Sequence, residues 1–155
     1  MIHLLRSPEF AQFLLRAKRA TYAAGAAPGA SSRPASSDLQ YQEESFLYID
    51  TYLGSRDFLG EEAVWHQNTP IWGMNYHGLM LVDEIPAGFG EILHAALSDI
   101  PADAPYRGPA ELRMGRFRYL CAWQGSIERF SGSERIEQDG RAIYELAFHG
   151  GQINS

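Results

Sequence analysis

The sequence predicts an α+β fold built from a duplicated α-β-β-β unit. The segments Phe46–Gly78 and Phe117–Gly150 align with one gap, and a segment with helical spacing precedes each of them. We expect a single domain over residues 1–155, with pseudo-repeats at about 7–78 and 88–150. Its sheet is predicted to be mostly antiparallel and curved, with about six strands and with two helices on one face. The residues shared by the two copies are Phe46, Tyr48, Gly54, Ser55, Phe58, Gly60, Glu62, Ile71, His77 and Gly78, matched by Phe117, Tyr119, Gly125, Ser126, Phe130, Gly132, Glu134, Ile143, His149 and Gly150.

The first helix is predicted to begin at Ser7-Pro8-Glu9. Serine can cap free N–H groups, proline suits the first helical position, and glutamate favours the positive end of the helix dipole. Apolar residues then recur at helical spacing, and we expect the helix to end near Tyr22–Gly25. The cluster Arg16, Lys18 and Arg19 is expected on its solvent side.

The segment Ala26–Gln40 is rich in Ala, Gly, Ser and Pro. Such a length without regular structure is uncommon in a compact domain. It is expected to be a surface loop or an ordered strap along the sheet. The alternative is a binding lid whose polar side chains include Arg33 and Asp38.

Alternating apolar and polar residues predict three strands in each half, and the helix Gly88–Ser98 lies between the two sets. The pairs Gln67-Asn68 and Asp139-Gly140 predict tight hairpins, because these residue types accept positive φ. The predicted strands are Phe46–Leu53, Phe58–Gln67, Pro70–His77, Arg113–Trp123, Ile127–Gln138 and Arg141–His149.

Composition excludes several classes of function. A chain of 155 residues with 45% hydrophobic residues can bury the core of one domain. The formal charge of −6 argues against nucleic-acid binding, which depends on clustered Lys and Arg. Cys121 is the single cysteine, which excludes a disulfide within the chain and favours a reducing cytoplasm. It is predicted in the middle of a strand, so we expect an inert buried thiol. There is no secretory signal and no run of about 20 apolar residues, so no membrane association is expected.

The register of the predicted hairpins points to a binding site. If Gly54–Asp57 joins the first two strands in simple register, Asp50 lies opposite Glu61, and directly opposed residues share a sheet face. The helices are expected to cover the aliphatic face, which leaves an aromatic, acidic surface open. The alternative is that these rings form ordinary core or cross-strand packing. Rings with a few polar groups are typical of small-molecule pockets, and rings beside carboxylates suit a cationic or amine-bearing ligand. The predicted ligand-binding residues are Arg33, Tyr48, Asp50, Tyr52, Glu61, Trp65, Trp72, Tyr76 and Arg107.

Three functions remain open at this point. The first is a small-molecule-binding or sensory module without catalysis, and the second is a homodimer or other protein interaction through the same aromatic face. The third is an enzyme that uses Asp50 or Glu61 as acid or base. No metal or cofactor is expected, because the histidines lack ligand spacing and no phosphate-binding or dinucleotide motif occurs.

Several long motifs, in order along the chain, resemble an uncharacterised bacterial and archaeal domain of unknown function. That domain also occurs as the C-terminal part of Xre-type helix-turn-helix regulators, so the resemblance implies a sensing or dimerising role. It implies no reaction and no ligand. The part before Ser7 is too short for a helix-turn-helix, so we expect no direct DNA binding. The motifs are AKRATYA (Ala17–Ala23), SSRPASSDLQY (Ser31–Tyr41), YIDTYLG (Tyr48–Gly54), GEEAVW (Gly60–Trp65), PIWGMNYHG (Pro70–Gly78), PYRGP (Pro105–Pro109) and FHGG (Phe148–Gly151).

Overall fold

The computed structural model describes residues 2–23 and 29–154, which form one eight-stranded sheet with helices on one face. The helices are α1 (Ile2–Leu5), α2 (Pro8–Lys18) and α3 (Phe89–Ser98), and α2 continues directly into a π-helix at Arg19–Ala23. The strands are β1 (Ser37–Glu43), β2 (Phe46–Gly54), β3 (Phe58–His66), β4 (Thr69–Met80), β5 (Glu111–Met114), β6 (Phe117–Ser126), β7 (Arg129–Gln138) and β8 (Arg141–Gln152). Within these described ranges, no helix is long and apolar enough to cross a bilayer.

The strand order is β1-β2-β3-β4-β8-β7-β6-β5, and every neighbouring pair in it is antiparallel. Each half of the chain forms a four-stranded meander, and the two meanders join through β4 and β8. The α+β class and the antiparallel sheet are confirmed. The duplication itself remains a prediction.

The prediction of about six strands was too low for the described residues. β1 comes from the end of the predicted strap, where Ser37–Glu43 pairs along the edge of β2. The predicted strand Arg113–Trp123 is divided by a turn at Gly115-Arg116, which separates β5 from β6. Gly115 has a φ of +56°, a conformation that glycine adopts without strain. The predicted helix end near Tyr22–Gly25 and the start of Ala26–Gln40 lie partly outside the described residues.

The first helix begins as its capping residues predict. The Ser7 hydroxyl accepts a hydrogen bond from the Phe10 amide at 3.1 Å, and Pro8 occupies the first turn. The two-residue hairpins are also confirmed: Gln67 and Asn68 have φ values of +49° and +65°, and Asp139 and Gly140 have +51° and +82°. Positive φ at both central residues gives a turn whose twist matches that of the strands.

Two features of the first half, a short connection and a bulge, set the strand register differently from the prediction. Gly54 pairs with Phe58, so only three residues connect β2 to β3. Gly54 has a φ of +87°, and a Cβ there would lie 2.2 Å from the Asp57 carbonyl oxygen, so this closing geometry requires glycine. A bulge between Val64 and Trp65 then shifts the pairing of β3 with β4. Each of these two features shifts the predicted strand pairing by one residue.

The helices pack on the aromatic face of the sheet, and the prediction that they cover the aliphatic face was wrong. Phe13 of α2 stacks on Phe46 at 4.8 Å between ring centroids, and Phe10 contacts Trp72 edge-on at 6.2 Å. Large rings bury the most apolar area, so covering them stabilises the fold most. We call this side the covered face. The opposite side, the open face, carries mostly half-buried or exposed residues such as Leu59 and Glu61.

Candidate functional site

The covered face contains the acidic pair, but its second member is Glu62 rather than Glu61. Asp50 lies directly opposite Glu62 on β3, whereas Thr51 lies opposite Glu61. Asp50 and Glu62 are fully buried, and Glu61 is exposed on the open face. The prediction that Asp50 and Glu61 share a face was therefore wrong. A one-residue slip exchanges the two faces of a strand, and the three-residue connection at Gly54 causes that slip.

We call Lys18, Asp50 and Glu62, with the tyrosines that contact Asp50, the first cluster. The Tyr76 hydroxyl donates to Oδ1 of Asp50 at 2.7 Å, and the Lys18 ammonium forms an ion pair with Oε2 of Glu62. Lys18 also donates to the Tyr106 carbonyl oxygen at 2.7 Å. A Cβ at Gly60 would lie 2.2 Å from the Tyr76 hydroxyl, so glycine leaves the space that this hydroxyl needs.

Several polar atoms of the first cluster are buried without a hydrogen bond. They include Oδ2 of Asp50, both carboxylate oxygens of Glu62 and the hydroxyl of Tyr48. Oε2 of Glu62 nevertheless has a partner, because the Lys18 ammonium contacts it and supplies its counter-charge. An unpaired buried polar group costs about 1–3 kcal/mol of folding stability, so these atoms destabilise the folded protein.

Burial and the neighbouring negative charge change the chemistry of Asp50. Burial first, and then the charge of Glu62, raise the pKa of Asp50 to about 7. Contacts with the hydroxyls of Tyr76 and Tyr22 and the charge of Lys18 act in the opposite direction. Burial lowers the pKa of Lys18, although Glu62 opposes that effect.

A second cluster, formed by Glu134, Arg107, Tyr119 and Tyr144, lies in the other half of the covered face. Arg107 donates to both oxygens of Glu134 through Nε and Nη2, each at 3.0 Å. Tyr119 donates to Oε2 at 2.5 Å, and Tyr144 donates to Oε1 at 2.9 Å. Each oxygen of Glu134 thus accepts two hydrogen bonds, and the charge of Arg107 is neutralised by a bidentate contact.

A pocket of about 190 Å³ opens beside the first cluster, between the π-helix, α3 and the β2–β3 hairpin. Tyr76 and Tyr22, whose hydroxyls lie near Asp50, form part of its wall. The Arg107 guanidinium lies 5.5 Å from the centre of the Tyr22 ring and 5.6 Å from that of Tyr76. The complete lining is Tyr22, Tyr52, Gly54, Ser55, Phe58, Tyr76, Leu93, Leu97 and Arg107.

Larger concavities of about 640 and 670 Å³ lie along the open face and near the β6–β7 hairpin. Outward-facing side chains such as His77, Ser133 and His149 contribute to their walls. Neither concavity is lined by the unpaired carboxyl groups of the first cluster. The small pocket is therefore the better candidate site, because the buried polar groups that need partners lie next to it.

The structure places five of the nine predicted site residues in or beside the small pocket and the other four outside its lining. Tyr52, Tyr76 and Arg107 line the pocket, and Tyr48 and Asp50 lie buried beside it. Trp72 does not line the pocket: it is buried in the core, where its ring centre lies 5.8 Å from the Lys18 ammonium and its Nε1 donates to the Ile127 carbonyl oxygen at 3.1 Å. Arg33 is exposed in the loop before β1, and Trp65 lies opposite Leu47 on the open face, which also carries Glu61. Their roles in ligand binding remain predictions.

Sequence reasoning missed Lys18, Tyr22, Glu62 and Glu134. Lys18 was expected in solvent but is 1% exposed. It continues the spacing of Phe10 and Leu14 along the buried side of α2, which was the available signal. Glu62 and Glu134 occupy matching places in the two predicted repeats, and a carboxylate kept in both copies indicated a buried partner for each. No sequence signal identified Tyr22.

The chain belongs to a protein family. A family model described as "Domain of unknown function (DUF5680)" matches residues 50–153. This range includes the second half of β2, all of β3–β8 and α3, and both clusters apart from Lys18, Tyr22 and Tyr48. No curated protein and no solved structure matched the chain significantly.

Proposed function

We propose that this member of the DUF5680 family is a small-molecule-binding or sensory module whose ligand occupies the pocket beside the first cluster. The observation that carries the proposal is the position of Asp50 and Glu62. Their unpaired oxygens are fully buried, and they lie behind the wall of a pocket that combines tyrosine rings with a fixed arginine. Ligand sites combine an apolar lining with a few oriented polar groups in this way.

The size and lining of the pocket favour a ligand of few atoms. Its volume of about 190 Å³ lies below the range of roughly 300–1,000 Å³ that is typical of drug-sized ligands. Phe58, Leu93 and Leu97 supply apolar contacts, and Tyr52 and Tyr22 supply rings at the opening. Arg107 is held in place by its ion pair with Glu134, so its guanidinium forms a rigid part of the pocket wall and its charge is already paired.

A homodimer would need a different surface from the aromatic face of the sequence prediction, because that face is covered by helices. The open face carries Leu59, which is 54% exposed and lies between Leu53 and His77. Exposed apolar side chains on an uncovered sheet face favour a partner surface. Protein association through the open face is therefore our second proposal.

A screen of small metabolites by ligand-observed NMR, with thermal unfolding as a second readout, tests the pocket. The discriminating variant is Leu93→Trp, which places a bulky ring in a pocket-lining position on α3. We expect ligands that bind the unchanged protein to lose binding in this variant, because the ring occupies their volume.

The matched control is Leu59→Trp, which makes the same substitution on the open face. Retention of binding in this control, together with its loss in Leu93→Trp, supports the pocket. The reverse pattern would place the ligand on the open face and refute the pocket proposal. Sedimentation velocity of the same samples shows whether the open face mediates dimerisation.

A further inference from the structure

The geometry points to a ligand class: we infer that the pocket binds a small cation with N–H donors, such as a primary ammonium compound, whose charged end pairs with Asp50 and Glu62. This inference rests on the proposed function and narrows it. It follows from which polar groups of the site already have partners and which do not.

The cations of the site already have partners. Arg107 makes a bidentate contact with Glu134, and Lys18 pairs with Glu62 and the Tyr106 carbonyl oxygen. An anionic ligand at the pocket would therefore have to compete with a buried, fully hydrogen-bonded carboxylate for Arg107. A carboxylate or phosphate ligand is disfavoured for this reason.

The acceptors of the site, by contrast, have unused capacity. Oδ2 of Asp50 and Oε1 of Glu62 are buried and accept no hydrogen bond, and the two residues lie directly opposite each other on β2 and β3. Directly opposed side chains have Cβ atoms about 5 Å apart, so one donor group can reach both carboxylates. An ammonium group has three N–H donors, which suits this arrangement.

The charge count of the two clusters agrees with a monovalent cation. Asp50, Glu62 and Glu134 are opposed by Lys18 and Arg107, so one negative charge is left when Asp50 is ionised. A ligand with one positive charge neutralises it. A metal ion is a poorer fit, because no group of three or more His, Cys, Asp or Glu side chains converges within residues 2–23 and 29–154.

The tyrosines complete the recognition of a cation. Tyr22 and Tyr76 line the pocket and contact Asp50, so the charged end of the ligand passes between their rings. Aromatic faces attract cations, and the apolar body of the ligand would remain against Leu93 and Leu97. Since Asp50 has no exposed surface, binding requires the half-buried Tyr22 side chain to rotate.

Three probes of matched shape test the charge preference: n-butylammonium, 1-butanol and butyrate. We expect n-butylammonium to bind most tightly at pH 8 by titration calorimetry. Its affinity should fall about tenfold at pH 6, because the pKa of Asp50 is about 7 and binding requires the ionised form. The pH profile uses the unchanged protein, so it remains informative even if a variant folds poorly.

Asp50→Asn is the matching variant, and it should remove both the preference for the cation and the pH dependence. Tighter binding of butyrate, absence of n-butylammonium binding, or a preference that survives Asp50→Asn would overturn the inference. Binding of any probe that Leu93→Trp abolishes would still support the pocket. Failure of the ligand class and failure of the proposed function are thus distinguishable.

Discussion

The two buried ionic clusters of the covered face differ in how completely their charges are satisfied. Glu134 accepts four hydrogen bonds, two from Arg107 and one each from Tyr119 and Tyr144. Glu62, at the matching place of the other predicted repeat, has Lys18 as its one partner at Oε2, and its Oε1 accepts no hydrogen bond. The residue opposite Glu134 is Cys121, whereas the residue opposite Glu62 is the second carboxyl group, Asp50.

We interpret this difference as a structural role for the second cluster and, under our proposal, a binding role for the first. A buried ion pair with all its hydrogen bonds made holds Arg107 and the loop that carries it against the sheet. Two adjacent buried carboxyl groups, of which only Glu62 contacts an ammonium, cost stability, and proteins retain such costs mainly at sites of binding or catalysis. The burial of Cys121, whose thiol pKa is raised by desolvation to about 12, fits an inert counterpart in the satisfied cluster.

The largest expected effect is on the satisfied cluster. Glu134→Gln leaves the buried Arg107 guanidinium without a counter-charge, and breaking a buried pair in this way costs about 3–5 kcal/mol. Glu62→Gln should cost clearly less, because it also removes the repulsion between Glu62 and Asp50. Urea unfolding at pH 7.5 measures both changes.

Glu145→Gln serves as the control for these two variants, because it breaks an exposed ion pair with Arg135 and should cost at most about 1 kcal/mol. Equal losses for Glu134→Gln and Glu62→Gln would show that the two clusters are energetically alike. That result would remove the basis of the comparison.

The next effect is a pH dependence confined to the first cluster. The pKa of Asp50 is raised from 3.8 to about 7, so the folded protein holds this proton more tightly than the unfolded chain. The stabilisation that comes from this bound proton is therefore lost as the pH rises from about 4 to about 7, and the contribution of Asp50 to the free energy of unfolding changes little above that. Between pH 5 and pH 8 we expect a loss of about 2–3 kcal/mol relative to Asp50→Asn.

The comparison requires urea unfolding of both proteins at several pH values, since other groups titrate in both and cancel in the difference. Asp50→Asn should be the more stable protein at pH 8, because an amide can accept from Tyr76 and donate to Glu62. Glu61→Gln, the same type of change on the open face, is the control and should change stability by at most about 0.5 kcal/mol. A difference for Asp50→Asn that is constant with pH would refute the raised pKa.

Local sequence signals were sufficient for the class of fold and for much of its outline. The Ser7 cap, the alternation along Phe46–Leu53 and the turn pairs Gln67-Asn68 and Asp139-Gly140 depend on neighbours in the chain, and the structure confirms them. The segment that forms β1 lacked such a signal. Its pairing with the edge of β2 is a contact between distant positions that alternation alone does not specify.

The site was harder to predict because it depends on register and on which face is covered. One residue at the Gly54 connection exchanged Glu61 for Glu62, and the bulge at Val64 shifted the next strand. Asp50, Tyr76 and Arg107 were predicted together from residue type alone, as polar groups among rings, and the structure places them close to one another. Lys18 depended on knowing that α2 covers the aromatic face, which local patterns do not determine.

The smallest expected effect concerns the tyrosines of the two clusters. Tyr76→Phe removes the hydrogen bond that Oδ1 of Asp50 accepts and leaves that buried carboxyl group only the contact with the Tyr22 hydroxyl, at a cost of about 1–3 kcal/mol. Tyr144→Phe should cost about 0.5–1.5 kcal/mol, because Oε1 of Glu134 keeps its bond from Arg107. The Tyr76 hydrogen bond lowers the pKa of Asp50, so Tyr76→Phe should raise it further, and a carbon-13 NMR titration of the carboxyl group measures that shift.

Tyr41→Phe, which removes a bond to the partly exposed Glu43, is the control. If Tyr144→Phe proved the more damaging change, or if the Asp50 titration did not move in Tyr76→Phe, the unpaired oxygens of the first cluster could not be what distinguishes it.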